Sequence, residues 1–151
     1  MIIISPALLV PDAIKTHRPS AGLAFRDAGA NFEAIARSQI LDLPMDVTCT
    51  AMVGTILTQM LDFAKSHDWQ TPLLVSCTLG LSRSPAAAMI IACATNPSRD
   101  EAEIAKALRR AAPCSDPHLM MIAAADEMLD RDGRMIDALD EMGPPRGECI
   151  G

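Results

Sequence analysis

The stretch that decides the fold runs from Leu73 to Ala94 and reads LLVSCTLGLSRSPAAAMIIACA. Leu73–Ser76 are apolar or small, which predicts a short buried strand. Pro85–Ala94 are apolar after an initial proline, which predicts a buried helix. Between them Gly80 permits tight curvature of the backbone. The sequence therefore predicts a strand, a tight loop and a helix, with Cys77 at the point where the strand ends.

A loop of this kind is suited to binding an anion. Its successive backbone N–H groups can point inward as a nest, and the following helix adds its positive N-terminal end. The guanidinium of Arg83 can grip two oxygens of a phosphate. The same field lowers the pKa of the Cys77 thiol and makes it a nucleophile, and Ser84 can hydrogen-bond the sulfur. The predicted phosphate-binding residues are Thr78, Leu79, Gly80, Leu81, Ser82 and Arg83.

The spacing of Cys77 and Arg83, C-x5-R, is weak evidence by itself, because the chain contains it twice. Cys93 and Arg99 repeat it, but no predicted strand precedes Cys93. Asn96-Pro97 also breaks the segment where an anion-binding loop would have to lie. We therefore interpret Cys93 as a buried structural thiol and Cys77 as the reactive one.

The segment VSCTLGLSRSP resembles the signature loop H-C-x5-R-[ST] of the cysteine-based tyrosine and dual-specificity phosphatases. The similarity is greatest to short bacterial tyrosine-phosphatase-like proteins and extends over roughly residues 39–142, through LLVSC, GLSRS, NPSRDEAE and DGRM. It implies an α/β fold with a small, mainly parallel sheet flanked by helices. It also implies metal-independent hydrolysis of phosphate monoesters through a phosphocysteine, with no cofactor. The substrate would be a phosphorylated protein or a small phosphorylated metabolite.

The resemblance also implies a general-acid aspartate on a loop upstream of the cysteine, and LDLPMDVT occupies that place. Asp46 fits the position best, because it lies in the loop beyond Pro44. Asp42 is the reserve candidate, although it falls within a strand pattern. A turn or helix-cap role is an open alternative for Asp46, since aspartate is common at such positions.

Ser76 stands where the resembling proteins have a histidine that supports the loop. The remaining donors predict a Cys77 pKa that is still below its ordinary value. The substitution nevertheless leaves a second function open, a pseudophosphatase that binds phosphate with weak or no turnover. A rhodanese-like or arsenate-reducing enzyme is a third hypothesis, because such enzymes also place a cysteine in an anion-binding loop.

The composition excludes several function classes. The 151 residues carry a formal net charge of −6 and a sequence pI of about 4.9, which argues against binding to nucleic acid or to an anionic membrane. The five cysteines are scattered without a CxxC motif, which predicts reduced thiols in a cytoplasmic protein and no metal site. Cys49 lies near Asp46 in sequence, so it is a possible redox partner of Cys77, although a plain cysteine is the preferred interpretation.

The length of the chain and the lack of a linker predict one domain over residues 1–143, which the resemblance implies is phosphatase-like. The glycine and proline of residues 144–151 predict a loose tail. Further signals mark helix ends: a capping box at Ser98 and Glu101, a helix start at Asp116-Pro117, and a possible helix end at Gly133. The predicted strands are residues 1–4, 23–25, 39–43 and 73–76. The predicted helices begin near residues 6, 51, 85, 98 and 117, and residues 135–142 supply one or two further helical turns before the tail.

Overall fold

The computed structural model describes residues 1–26, 30–44, 46 and 50–147. Four parallel strands form one sheet in the order β1-β4-β2-β3. The strands are β1 (Ile2–Pro6), β2 (Ala21–Arg26), β3 (Ile40–Pro44) and β4 (Leu73–Cys77). The helices are α1 (Val10–His17), α2 (Thr50–Ser66), α3 (Arg83–Thr95), α4 (Glu101–Ala111), α5 (Leu119–Met128) and α6 (Arg134–Met142). The predicted α/β fold with a small parallel sheet is confirmed.

Both faces of the sheet are covered. Alternate residues of β4 enter different cores because successive strand side chains point to opposite faces. Val75 and Cys77 pack in the larger core with α2 to α6, whereas Leu74 packs in a smaller core with Val10 of α1 and Phe32. The larger core therefore lies on the face of the sheet that carries the candidate nucleophile.

Strand β2 is longer and more deeply buried than its composition suggests. Five of its six residues are buried, and it pairs with both β3 and β4. Gly22 is required in this strand because a Cβ there would lie 2.6 Å from the ring of Phe32. Small residues that have little intrinsic strand preference are held in place by pairing and burial.

Two predicted helix signals are wrong. Asp100, rather than Ser98, caps α4 by accepting a hydrogen bond from the N–H of Ala102 at 2.7 Å. Gly133 does not end a helix; it takes a φ of +82° and starts α6. Its N–H donates to the Asp126 carboxylate at 2.7 Å, so α5 and α6 are joined by a turn that a side chain holds.

The motifs NPSRDEAE and DGRM meet in a buried ion-pair network. The Arg131 guanidinium donates to the Glu101 carboxylate at 2.7 Å and to the Cys93 carbonyl at 2.8 Å. Arg134 contacts the same carboxylate at 3.3 Å. Burial raises the pKa of Glu101, but its hydrogen bonds and the two arginines outweigh this effect, and the pKa is lowered.

Replacing Glu101 with glutamine is expected to destabilise the fold by about 3–5 kcal/mol, because it leaves the buried Arg131 charge without its partner. The Glu103→Gln variant is the control: its exposed pair with Lys106 spans 3.5 Å and contributes at most about 1 kcal/mol. Urea unfolding at neutral pH measures both. Since the Glu101 pKa is lowered in the fold, its contribution is present above the unfolded value of about 4.3 and is lost as the pH falls below it. Equal effects of the two substitutions would contradict this account.

The cysteines differ in oxidation state. Cys77 and Cys93 are free thiols, whereas Cys114 is disulfide-bonded. The prediction of reduced thiols is therefore wrong for Cys114, because sequence spacing does not show which cysteines meet in space. Disulfides are rare in the reducing cytoplasm, so cysteine usage no longer supports that location. Within the described residues, no helix combines the length and apolar character needed to cross a bilayer.

Candidate active site

Strand β4 carries Cys77 to the carboxyl edge of the sheet, and all five of its residues are buried. Helix α3 begins at Arg83, so the five residues 78–82 form the whole turn between strand and helix. We call residues 78–83 the anion loop. The structure thus brings Cys77, Arg83 and Ser84 together as the sequence predicts.

The first turn after β1 packs against the anion loop. The N–H of Ala7 donates to the Thr78 carbonyl at 3.2 Å. Gly80 adopts a φ of +70°, and a Cβ at this position would lie 2.9 Å from the backbone nitrogen of Pro6. Both the backbone angle and the close approach therefore require glycine.

The Gly80→Ala variant is expected to lower oxyanion affinity by at least about tenfold, because strain and the clash with Pro6 must displace the loop. Gly54→Ala is the control, since a Cβ at Gly54 in α2 would meet nothing within 4 Å. Calorimetric titration with phosphate measures both variants. Unchanged phosphate affinity in Gly80→Ala would show that the loop conformation is not what binds the anion.

The second half of the loop is held by the segment between α4 and α5. The N–H of Asp116 donates to the Leu81 carbonyl at 2.6 Å, and the N–H of His118 donates to the Ser82 carbonyl at 3.2 Å. In a trans peptide the N–H points opposite to the C=O. Because the carbonyls are turned outward, the N–H groups of Ser82 and Arg83 face the concave side of the loop, as an anion nest requires.

Hydrogen bonds at Cys77 favour the thiolate. The Cys77 Sγ lies 3.1 Å from the Ser84 Oγ and accepts the Ser84 N–H at 3.4 Å. Burial raises the pKa of Cys77, but donors from the Ser84 side chain and from the backbones of Ser84, Gly80 and Ser82 outweigh it, and the pKa is lowered. The predicted lowering is confirmed.

Cys93, the other cysteine with C-x5-R spacing, has the opposite character. It lies in α3 and is fully buried. Burial raises its pKa to about 11, and the nearby Arg131 charge only partly offsets this effect. Two buried thiols of one chain thus differ in pKa because hydrogen-bond donors surround only the sulfur of Cys77.

Arg83 is the first residue of α3. Its Nη2 donates to the Thr78 Oγ1 at 3.3 Å, which directs the guanidinium back across the anion loop. The positive charge and the helix N-terminus therefore act on the same side of the loop. This arrangement suits a bidentate grip on a tetrahedral oxyanion.

The two candidate general acids differ in their surroundings. Asp42 lies on β3 and forms an exposed ion pair with Arg26 at 2.5 Å, so its carboxylate is already engaged. Asp46 is exposed and lies two residues beyond the end of β3. Its catalytic role stays a prediction. Cys49, the possible redox partner of Cys77, lies outside the described residues.

Ser76 is buried, and its Oγ has no hydrogen-bond partner in the described part of the chain. Strand alternation places it on the same side of the sheet as Leu74, opposite to Cys77. No hydrogen bond from this hydroxyl to the described residues replaces the support that the resemblance assigns to a histidine here. The loop instead depends on the backbone donors of neighbouring segments.

Sequence reasoning missed a residue that supports this arrangement indirectly. The buried Arg109 donates to the carbonyls of Pro113 at 2.5 Å, Ser115 at 2.8 Å and Gly143 at 2.7 Å. It thereby fixes the segment whose N–H groups bond the anion loop. The only sequence signal is an arginine in the last turn of a helix, which is too common to be informative.

Comparison with known proteins gives structural but not sequence matches. No protein-family model and no curated protein matches the chain. Human DUSP28 is 14% identical with a TM-score of 0.62, over 86% of this chain and 92% of that one. PTPMT1 is 12% identical with a TM-score of 0.59, over 87% and 90%. P. aeruginosa TpbA is 16% identical with a TM-score of 0.46, over 90% and 83%. The matches to DUSP28 and PTPMT1 show that the chain has the fold of the cysteine-based dual-specificity and tyrosine phosphatases, as its anion loop predicts.

Proposed function

We propose that this protein is a metal-independent phosphate monoester hydrolase that acts through a phosphocysteine on Cys77. The observation that carries the proposal is the Cys77 thiol, whose pKa is lowered by hydrogen bonds from Ser84 and the anion loop. The outward-turned carbonyls of the loop and the position of Arg83 support the same reaction. Its substrates are phosphorylated proteins or small phosphorylated metabolites.

In the first step the Cys77 thiolate attacks phosphorus. A P–S bond forms, the ester P–O bond breaks, and the leaving oxygen takes a proton from Asp46. The guanidinium of Arg83 and the N–H groups of the loop stabilise the charge on the equatorial oxygens.

In the second step water attacks the phosphocysteine. Asp46, now a carboxylate, accepts the proton of the water, the P–S bond breaks, and inorganic phosphate is released. The departing sulfur is stabilised as a thiolate by the Ser84 hydroxyl at 3.1 Å. The enzyme returns to its starting protonation state, with one water consumed per ester hydrolysed.

Hydrolysis of p-nitrophenyl phosphate tests the proposal. We expect turnover that persists in EDTA and is abolished by vanadate, which occupies the anion loop. The pH series should run from acid to neutral values, because the lowered pKa of Cys77 extends the reactivity of its thiolate below the range of an ordinary thiol. No turnover at any pH in this range would refute the enzymatic function.

Asp46→Asn is expected to slow hydrolysis of alkyl phosphates by about 10²–10⁴-fold, because a poor leaving group needs protonation. p-Nitrophenolate is a stable anion, so the rate with p-nitrophenyl phosphate should fall much less. Asp42→Asn is the control. It removes only an exposed ion pair with Arg26, so neither rate should change. Equal losses for both substrates in Asp46→Asn, or a graded loss in Asp42→Asn, would remove Asp46 from this role.

A pseudophosphatase is the second candidate, and Ser76 favours it, because its hydroxyl has no hydrogen-bond partner among the described residues. In that case Arg83 and the loop would bind phosphate, but the loop would not be held firmly enough for efficient chemistry. Phosphate or phosphopeptide binding without measurable hydrolysis would distinguish this function from the first.

A further inference from the structure

Exposed aliphatic side chains concentrate around the anion loop. Of the eight large apolar side chains that are exposed in the described part of the chain, five lie in the loop or in the turns that contact it. Leu8 is 85% exposed, Leu79 is 53% exposed and Leu119 is 57% exposed. We call the five residues the apolar rim: Leu8, Leu9, Leu79, Leu119 and Met120.

Backbone hydrogen bonds fix the rim to the loop on two flanks. Ala7, whose N–H bonds the Thr78 carbonyl, directly precedes the first two rim residues. His118, whose N–H bonds the Ser82 carbonyl, directly precedes the last two, which start α5. Leu79 belongs to the loop itself. The five rim residues therefore lie in the anion loop or directly beside residues whose backbone contacts it.

None of the four aromatic residues of the chain belongs to this rim. Phe25 and Phe32 are buried, and Phe63 packs against the larger core. The Trp69 indole donates to the Ala64 carbonyl, and its ring lines a cavity between β1, α3 and α4. The rim thus offers aliphatic contact without the aromatic walls that would stack on a phenyl ring.

The net charge of the chain indicates whether the ligand of the apolar rim is dissolved or part of a membrane. A net charge of −6 disfavours approach to an anionic lipid surface. Exposed apolar side chains that concentrate in one region mark a binding site more often than scattered ones do, and the rim residues lie in the anion loop or directly beside residues that bond it. The occupant of the rim is then the apolar part of the same dissolved molecule whose phosphate enters the loop.

We propose that the preferred substrate is a phosphate monoester with an aliphatic chain, with its phosphate in the anion loop and its chain on the apolar rim. This inference rests on the proposed function for its reaction, but the binding preference can be measured without turnover. It predicts that affinity rises with chain length, by roughly two- to fourfold per methylene for partial to complete burial.

Two parallel measurements test it, both below the micellar concentration. Calorimetry gives Kd for butylphosphonate and octylphosphonate, which cannot be hydrolysed, and phosphate release gives kcat/KM for butyl and octyl phosphate. We expect the octyl compound, which has four more methylenes, to be favoured by roughly 16- to 250-fold in both. The Leu8→Ser/Leu119→Ser variant should reduce this ratio at least fivefold, with the butyl values within about twofold of wild type. Met128→Ser is the control, because Met128 is 42% exposed at the other end of α5, roughly 14 Å from Leu119 along the helix axis.

The outcomes separate the two claims. A chain-length preference in Kd without turnover supports the rim and refutes the enzyme. Turnover without a chain-length preference supports the enzyme and overturns the rim. Three further results overturn the rim. One is faster hydrolysis of phosphopeptides than of octyl phosphate. The others are an octyl-to-butyl ratio that is unchanged in the double variant, or that falls equally in Met128→Ser. Failure to bind any phosphonate overturns both.

Discussion

Replacing Cys77 with serine is expected to lower kcat for p-nitrophenyl phosphate by about 10³-fold or more, with little loss of oxyanion affinity. A serine hydroxyl at neutral pH is protonated and is a poor nucleophile. The donors that bind the anion belong to the loop backbone and to Arg83, and they are unchanged. Steady-state kinetics measure the first effect, and calorimetric titration with phosphate measures the second.

Cys93→Ser is the matched control, because Cys93 has the same C-x5-R spacing and is also buried. Its raised pKa of about 11 keeps it protonated and unreactive. The control should retain wild-type kcat, even if the buried hydroxyl costs about 1–3 kcal/mol of stability. Loss of turnover in a folded Cys93→Ser protein, with turnover retained in Cys77→Ser, would exchange the roles of the two cysteines.

The Arg83→Ala variant is expected to lose both binding and turnover. Removing a charge-assisted bidentate contact should weaken phosphate binding by about 10- to 100-fold. The loss in kcat/KM should be larger, because the same contacts strengthen in the transition state. Arg83→Lys should recover only part of either, since an ammonium cannot form two parallel hydrogen bonds.

Arg99→Ala serves as the control for this experiment. Arg99 completes the other C-x5-R match, but it is an exposed residue between α3 and α4. Its removal should leave phosphate affinity and kcat/KM unchanged. Wild-type phosphate affinity in Arg83→Ala would mean that the anion binds elsewhere, and the proposed site would be rejected.

The strand, loop and helix around Cys77 could be predicted because their signals are local. A buried apolar run, Gly80 and an alanine-rich segment lie within a few residues of one another, and each matches one conformation. The contact of Ser84 with the Cys77 sulfur could be predicted for the same reason, since Ser84 lies in the first turn of α3, which starts beside Cys77. The donors that lower the pKa of Cys77, from Ser84, Gly80 and Ser82, all belong to this local segment.

The supports of the loop could not be predicted, because they are backbone groups from distant segments. The N–H groups of Ala7, Asp116 and His118 donate hydrogen bonds to the loop carbonyls. Every residue type except proline has a backbone N–H, so the sequence gives no sign of these contacts. Strand β2 was underestimated for a related reason, because pairing with two neighbours stabilises residues such as Gly22 that have low strand propensity.

The helix-end errors have a similar origin. The sequence offered Ser98 and Glu101 as a local capping box, yet Glu101 is drawn into the buried network with Arg131. Gly133 has the residue type of a helix end, but the Asp126 carboxylate binds its N–H and makes it a helix start. In both places a long-range or turn contact overrides the local preference.

Trapping the covalent intermediate tests the central claim most directly. The wild-type protein is mixed with excess p-nitrophenyl phosphate, quenched within the first turnovers and digested, and the peptide that carries Cys77 is analysed by mass spectrometry. The account predicts that this peptide gains the mass of one phosphoryl group, that the gain is absent in Cys77→Ser, and that the Cys93 peptide is unmodified. Turnover with no phosphoryl group on Cys77 at any quench time, or a phosphoryl group on Cys93, would contradict it.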